Sequence, residues 1–427
     1  MLKNTAKLPF ILITALFALW GFANDITNPM VSAFKTVLQM SNFRASLVQL
    51  AFYGGYFTMA IPAALFIRKY SYKTGIMIGL GLYALGALLF YPAAKYQAFE
   101  FFLMALYILT FGLAFLETTA NPYILAMGDE KSATQRLNFA QSFNPIGSLT
   151  GMFIAQKYIL EKLNSDDTDA AGNSLFTSLA ETEQAVVRTH DLEIIRNPYL
   201  YLGIFVLLYF VIIALYKMPK ITKTEKSLEP AKFVFARLLK NKNYVWSVIA
   251  QAFYVGAQIM CWTFIIQYAE RLGLSKADAQ SYNIVAMVTF LFSRIICTFL
   301  LRYIEGSKLL FFFACGAVLS TTGVIFIDGM TGLYFLVATS FFMSLMFPTI
   351  YGIGLEGLGE DAKLGSAGLV MAIVGGALMP PLQGALIDMG GVGSLSGENF
   401  SFVLPFICFV VIAYYAFTVN TKKEITA

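Results

Sequence analysis

Apolar residues run along this chain in long, nearly unbroken stretches, not in the one-sided or alternating patterns of soluble helices and strands. A helix needs about 20 such residues to cross a bilayer. About twelve stretches meet that length, roughly over 8–34, 44–67, 74–94, 99–127, 133–160, 198–216, 243–269, 279–301, 307–327, 331–355, 364–388 and 400–419. The period-two alternation of a membrane barrel is missing from them. The pattern predicts an all-α membrane protein of twelve transmembrane helices.

The polar stretches between them organise the chain. Residues 217–242 form a basic linker carrying Lys217, Lys220, Lys223, Lys226, Lys232, Arg237, Lys240 and Lys242. It divides an N-terminal six-helix half, 1–216, from a C-terminal one, 243–427. Stretch 161–197 is expected to be one long external loop, acidic through Asp166, Asp167, Asp169, Glu181 and Glu183, and it holds His190, read as a solvated side chain. A faint repeat places Gly128-Asp129-Glu130 after the fourth span and Gly359-Glu360-Asp361 after the tenth. Two pseudo-symmetric six-helix halves related as parallel repeats are the layout of the major facilitator fold.

Charge sets the expected orientation. With the N-terminus inside, the cytoplasmic loops collect Lys3, Lys7, Arg68, Lys69, Lys73, Lys131, Arg136, the linker cluster, Arg302, Lys308, Lys363, Lys422 and Lys423. The other side carries only Lys35, Arg44, Lys95, Lys157, Lys162, Arg188, Arg196, Arg271 and Lys276. Such a bias predicts both termini in the cytoplasm, in a multi-pass protein of a bacterial inner membrane. Lys3 and Lys7 before an apolar run could suggest a secretion signal. The run passes Trp20 with no small-residue cleavage site, so a retained first helix is expected.

Composition agrees and excludes alternatives. Of 427 residues, 58% are hydrophobic and 13% charged, about half the usual 25% of a soluble domain. The net charge of +5 comes from scattered loop residues, which argues against a nucleic-acid partner. Cys261, Cys297, Cys315 and Cys408 all lie in apolar segments with no metal or disulfide spacing, and read as small core residues. No phosphate-binding glycine loop, nucleophile–base pair or metal cluster is visible. The expectation is a monomer in the lipid bilayer, not an enzyme, without cofactor, metal or ATP drive.

Candidate chemistry comes from residues the bilayer should exclude. An ionised side chain at mid-bilayer costs about 3 kcal/mol even on the lenient insertion scale. Asp25 lies three residues before Asn28, on the same helical face, with Pro29 following. Glu117 lies four before Asn121, followed by Pro122, and Gln141 three before Asn144, followed by Pro145. Three helices thus each set a polar pair beside a proline, which lacks the amide hydrogen that would hold a carbonyl one turn back. Carboxylates, amides and hydroxyls suit a sugar, whose hydroxyls donate and accept; interhelical hydrogen bonding is the plainer alternative. Asp25 and Glu117 are also candidates for coupling to a proton, with sodium as the rival ion.

In the other half, Gln251, Tyr254, Gln258 and Trp262 fall near one face of the seventh helix. An aromatic ring beside amides can hold a sugar, and packing between helices would also account for them. Arg294 is expected to pair with a buried acid or with helix carbonyls. Together the polar residues place the expected site between the two halves.

At these motifs the sequence resembles the L-fucose:proton symporter family, which includes fucose, glucose and galactose porters of the major facilitator superfamily. The similarity runs almost end to end. It includes the Gln49–Phe57 stretch (QLAFYGGYF), the Ser71-Tyr72-Lys73 turn, Leu116–Thr118 through Asn121-Pro122, Arg136–Asn144, Tyr254–Trp262 and Phe347-Pro348-Thr349-Ile350. The resemblance implies a coupling role for Glu117 and sugar contacts for Gln141 and Asn144. Family members carry an aspartate where Asn28 stands and an asparagine where Asp25 stands. Here the two are exchanged, which leaves the acid one turn earlier on the same face. Phe347 stands where a tyrosine near the sugar is expected, and Arg68 where the superfamily usually has an aspartate. For the whole chain, the resemblance implies a proton-coupled importer of L-fucose or a related monosaccharide, working by alternating access. Asp25 and Glu117 would serve coupling, and Asn28, Asn121, Gln141, Asn144, Gln251, Tyr254, Gln258, Trp262 and Phe347 the sugar. The alternatives are a proton- or sodium-coupled glucose/galactose-type transporter, and a substrate-sensing receptor on a transporter fold, which would call for a soluble signalling domain.

Overall fold

Among the described residues, eleven helical stretches are long and apolar enough to cross a membrane. They come from a computed structural model that describes residues 7–127, 140–141, 143–169, 174–218, 230–301, 303–358 and 361–426. The twelfth expected span, 133–160, is described only from residue 140, and its helix runs over Phe143–Ile154. Several expected features lie outside the described residues: Lys3, Lys131, Arg136, Arg302, Gly128-Asp129-Glu130, Gly359-Glu360 and linker residues 219–229.

The main helices are α1 (Lys7–Thr27), α2 (Met30–Val37), α3 (Leu47–Lys69), α4 (Tyr72–Leu88), α5 (Phe99–Ala126), α6 (Phe143–Ile154) and α7 (Glu181–Leu215). Next come α8 (Ala231–Lys240), α9 (Lys242–Arg271), α10 (Lys276–Leu300), α11 (Gly306–Phe326) and α12 (Gly329–Met343). The chain closes with α13 (Met346–Leu355), α14 (Ala362–Met371), α15 (Gly375–Asp388) and α16 (Val403–Thr426). Two compact units emerge: residues 1–38 with 54–228, and residues 39–53 with 229–427.

In the first unit α1 packs along α6, α4 along α5, and α7 along α4. Glycine makes the α1–α6 contact possible, because apolar helices in lipid gain from close backbone approach. A Cβ on Gly147 would stand 1.9 Å from the Ala18 carbonyl oxygen, and one on Gly151 2.6 Å from that of Phe22. The second unit repeats the device. There α9 packs along α15, and a Cβ on Gly375 would stand 1.8 Å from the Ala252 carbonyl oxygen. In both units the first long helix meets its partner through a glycine laid on an alanine carbonyl.

Two expectations change. The polar stretch before the sixth span is not all loop: α7 starts at Glu181, so residues 181–197 are helical. They carry no hydropathy signal, but Glu181 and Glu183 in the first turn suit the positive end of the helix dipole. Asp191, fully buried on α7, accepts the backbone amides of Asn164 and Ser165 at 3.0 and 2.8 Å. His190 stays exposed, as expected, with its ring 3.1 Å from Asp191 and 3.3 Å from Asn164. The tenth span is broken at Ser344-Leu345 into α12 and α13.

Candidate functional site

Proline sets the local geometry of the first unit's polar groups. A helical N–H at residue i bonds the carbonyl of i−4, so Pro29 leaves the Asp25 carbonyl without its usual donor, and Pro145 does the same to Gln141. The chain breaks between α1 and α2 at Asn28-Pro29. Asp25 and Asn28 sit at this break, 4% and 2% exposed. The Asn28 amide donates to the Asp25 carboxylate at 3.1 Å, and Ser148 on α6 is a second hydrogen-bonding neighbour of that carboxylate.

The α6 segment ties this break to α5. Gln141 donates from its amide to the Asn121 side-chain oxygen at 3.1 Å, while the Asn144 amide reaches the Phe17 carbonyl of α1 at 3.4 Å. Asn121 in turn donates back to the Glu117 carbonyl at 3.0 Å. Glu117 is buried, and its Oε2 has no hydrogen-bond partner among the described residues. Of the three polar pairs expected from the sequence, Asp25 is thus joined to Asn28, Gln141 is joined to Asn121, which reaches only the backbone of Glu117, and Asn144 turns to α1.

The second unit brings its candidates together less completely. Gln251 is fully buried, and neither atom of its amide is bonded among the described residues. Tyr254 donates its hydroxyl to the Met343 carbonyl at 3.0 Å, at the break between α12 and α13. Gln258 is a hydrogen-bonding neighbour of that hydroxyl. Trp262 donates to the Ser340 hydroxyl at 3.1 Å and meets Phe290 edge-on, with ring centroids 5.2 Å apart. Phe347 lies edge-on to Tyr254 at 6.1 Å and stacked on Tyr351 at 6.2 Å. The polar atoms of Tyr254 and Trp262 are thus engaged between helices, while both amide atoms of Gln251 are buried and unbonded among the described residues.

Arg294 finds a backbone carbonyl. Its guanidinium donates to the Ser344 carbonyl at 3.4 Å and lies over the Phe290 ring, 4.8 Å from its centroid. Pro348 is the residue whose missing amide would have bonded Ser344.

Two further residues contribute, Ser148 and Gln49. Ser148 was hidden because a lone serine in an apolar helix carries no signal of its own. Gln49, in a stretch used only for the resemblance, is fully buried and donates to Thr263 at 2.9 Å within the second unit.

Long apolar helices, one of them broken at Asn28-Pro29, with the buried carboxyls of Asp25 and Glu117 inside them, make up a polytopic transporter that handles a polar solute. The chain belongs to the Major Facilitator Superfamily, whose family model matches residues 11–374. It is 63% identical, over 98% of its length and 97% of the relative's, to the L-fucose-proton symporter of Haemophilus influenzae. The glucose/galactose transporter of Brucella abortus is 32% identical over 94% of this chain and 92% of its own. Among solved structures it matches the Major Facilitator Superfamily transporter FucP in the outward conformation, with a TM-score of 0.71 and 34% identity, over 96% of this chain and 97% of that one. These matches bear out the resemblance first drawn from Gln49–Phe57, Glu117–Pro122 and Tyr254–Trp262.

Proposed function

We propose that the chain is a proton-coupled monosaccharide symporter that imports L-fucose, with both termini in the cytoplasm of an inner membrane, working as a monomer by alternating access. The observation that carries this reading is the 63% identity to an L-fucose-proton symporter along essentially the whole of both chains. Two six-helix halves, 1–216 and 243–427, joined by the 217–242 linker, are the bodies that would move. Asp25 and Glu117 are the proton carriers: both are buried carboxyls in apolar helices, one ringed by Asn28 and Ser148, the other open at Oε2.

Sugar recognition falls to Asn28, Asn121, Gln141 and Asn144 in the first half and to Gln251, Tyr254, Gln258, Trp262 and Phe347 in the second. The open amide of Gln251 can donate to one hydroxyl and accept from another, while Tyr254 and Phe347 offer ring faces. Arg294 is a positioning residue that holds the α12–α13 break.

A second reading keeps the mechanism and changes the sugar. The 32% identity to a glucose/galactose transporter, with Phe347 where a tyrosine is expected, favours a wider hexose specificity. Competition of unlabelled L-fucose, D-glucose and D-galactose against labelled L-fucose counterflow tests both. L-fucose should compete best, and superior competition by glucose or galactose would replace the first reading with the second.

A further inference from the structure

Helix α8 lies outside the candidate site and has two unlike faces. On one face Val234 and Leu238 pack on Tyr244, Leu364 and Leu369. Arg237 closes the same contact, donating from Nε and Nη2 to the two carboxylate oxygens of Asp361 at 2.8 and 2.7 Å. A bidentate guanidinium–carboxylate pair has fixed geometry, so α8 is bolted to the start of α14. The other face carries Lys232 and Lys240, both exposed, flanked by Phe233, 57% exposed, and Leu239, 72% exposed.

Position and charge indicate what covers that face. Residue 241 alone separates α8 from the membrane-crossing α9, and exposed Trp246 lies within the first turns of α9. Tryptophan is enriched at the level of lipid headgroups, and α8 adjoins that level. From 231 to 243 the chain has four basic residues and no acid, and upstream Lys217, Lys220, Lys223 and Lys226 outnumber Glu225 and Glu229. Large apolar side chains beside lysines on a short amphipathic helix fit an anionic bilayer surface, with rings and methyls below the phosphates and ammonium groups among them.

We propose that α8 docks on anionic phospholipid headgroups and, through Arg237 and Asp361, anchors the start of α14 to the membrane surface. The inference rests on the membrane reading above but not on the sugar or the ion. It makes the bilayer's charge a determinant of how firmly one end of the α14–α15 span is held.

The test uses the full chain in vesicles of phosphatidylcholine alone or with about a third phosphatidylglycerol, an anionic surface of the kind polybasic segments bind. Amide hydrogen exchange across 231–240 is followed without sugar, so a failed transport assay and a failed lipid test remain distinguishable. Exchange should slow at least about fivefold in the anionic vesicles, the worth of a single lysine at such a surface. Lys232→Gln with Lys240→Gln, both at exposed positions, should remove that difference. Leu239→Gln should speed exchange in both vesicle types. Equal exchange of the unaltered chain in the two compositions overturns the proposal. So does a difference between the two vesicle types that persists in the double glutamine variant, because the lysines of the exposed face would then play no part in it.

Discussion

The guanidinium of Arg294 donates to the backbone carbonyl of Ser344, the same carbonyl that Pro348 leaves without its helical donor. A cation on one helix thereby completes the hydrogen bonding of a break in another. The proton or sugar need not touch Arg294 for its loss to matter.

Arg294→Met should therefore destabilise the protein by about 2 kcal/mol, the range for a hydrogen bond with a charged partner. Adding Pro348→Ala, which returns an amide to that turn, should recover part of the loss. Thermal unfolding in detergent of the two single variants and the double variant measures the coupling. Strictly additive effects would show that Arg294 acts elsewhere.

Gly147→Val should disrupt the first unit, since even the first side-chain atom would lie 1.9 Å from the Ala18 carbonyl. Gly375→Val should do the same to the second unit through Ala252. Overpacking of this kind costs about 1–3 kcal/mol where the backbone can shift, and more where two backbones touch. Monodispersity and melting temperature are the readouts, and a Gly147→Val protein with an unaltered melt would count against the close α1–α6 contact.

Much of this was legible in the residues. Asp25 and Glu117 stand out because a bilayer excludes charge, and of the prolines beside the polar pairs Pro29 falls at a break, while α5 and α6 run on through Pro122 and Pro145. The partners of Arg294 were not legible: the carbonyl it serves is freed by a proline 54 positions further along, and only packing of α10 against α12 reveals the match. Residues 181–197 looked like loop because a helix that leaves the membrane needs no apolar stripe. Its anchor, Asp191 capping the amides at 164 and 165, is a tertiary contact. The glycine contacts at 147 and 375 likewise depend on which helices meet, which hydropathy does not state.

Asp25→Asn should abolish sugar accumulation driven by a proton gradient while leaving binding largely intact, since Asn121, Gln141 and Asn144 remain. Gln141→Ala should weaken sugar binding about fivefold or more, the worth of roughly one net hydrogen bond. Equilibrium binding and gradient-driven uptake, measured on both variants, separate the two roles. Concentrative uptake by Asp25→Asn would place the coupling carboxyl elsewhere.

Acid should loosen the base of α14. The Arg237 guanidinium beside Asp361 holds that carboxyl below the usual carboxylate range, about 3.9 in an unfolded chain. A depressed folded-state value means that the pair's stabilisation is present above the unfolded value and is lost as pH falls through the folded one. Exchange protection of 231–240 should fall as pH drops below about 4, and Asp361→Asn should make it low and flat. Protection of the unaltered chain that ignores pH in that window would contradict the pairing.

The most direct measurement is uptake of labelled L-fucose by vesicles holding the purified protein, with a proton or a sodium gradient imposed in turn. Concentrative accumulation under an inward proton gradient, collapsed by a protonophore and indifferent to sodium, is the predicted result. Failure of L-fucose and every competing hexose to accumulate under either gradient would contradict the account.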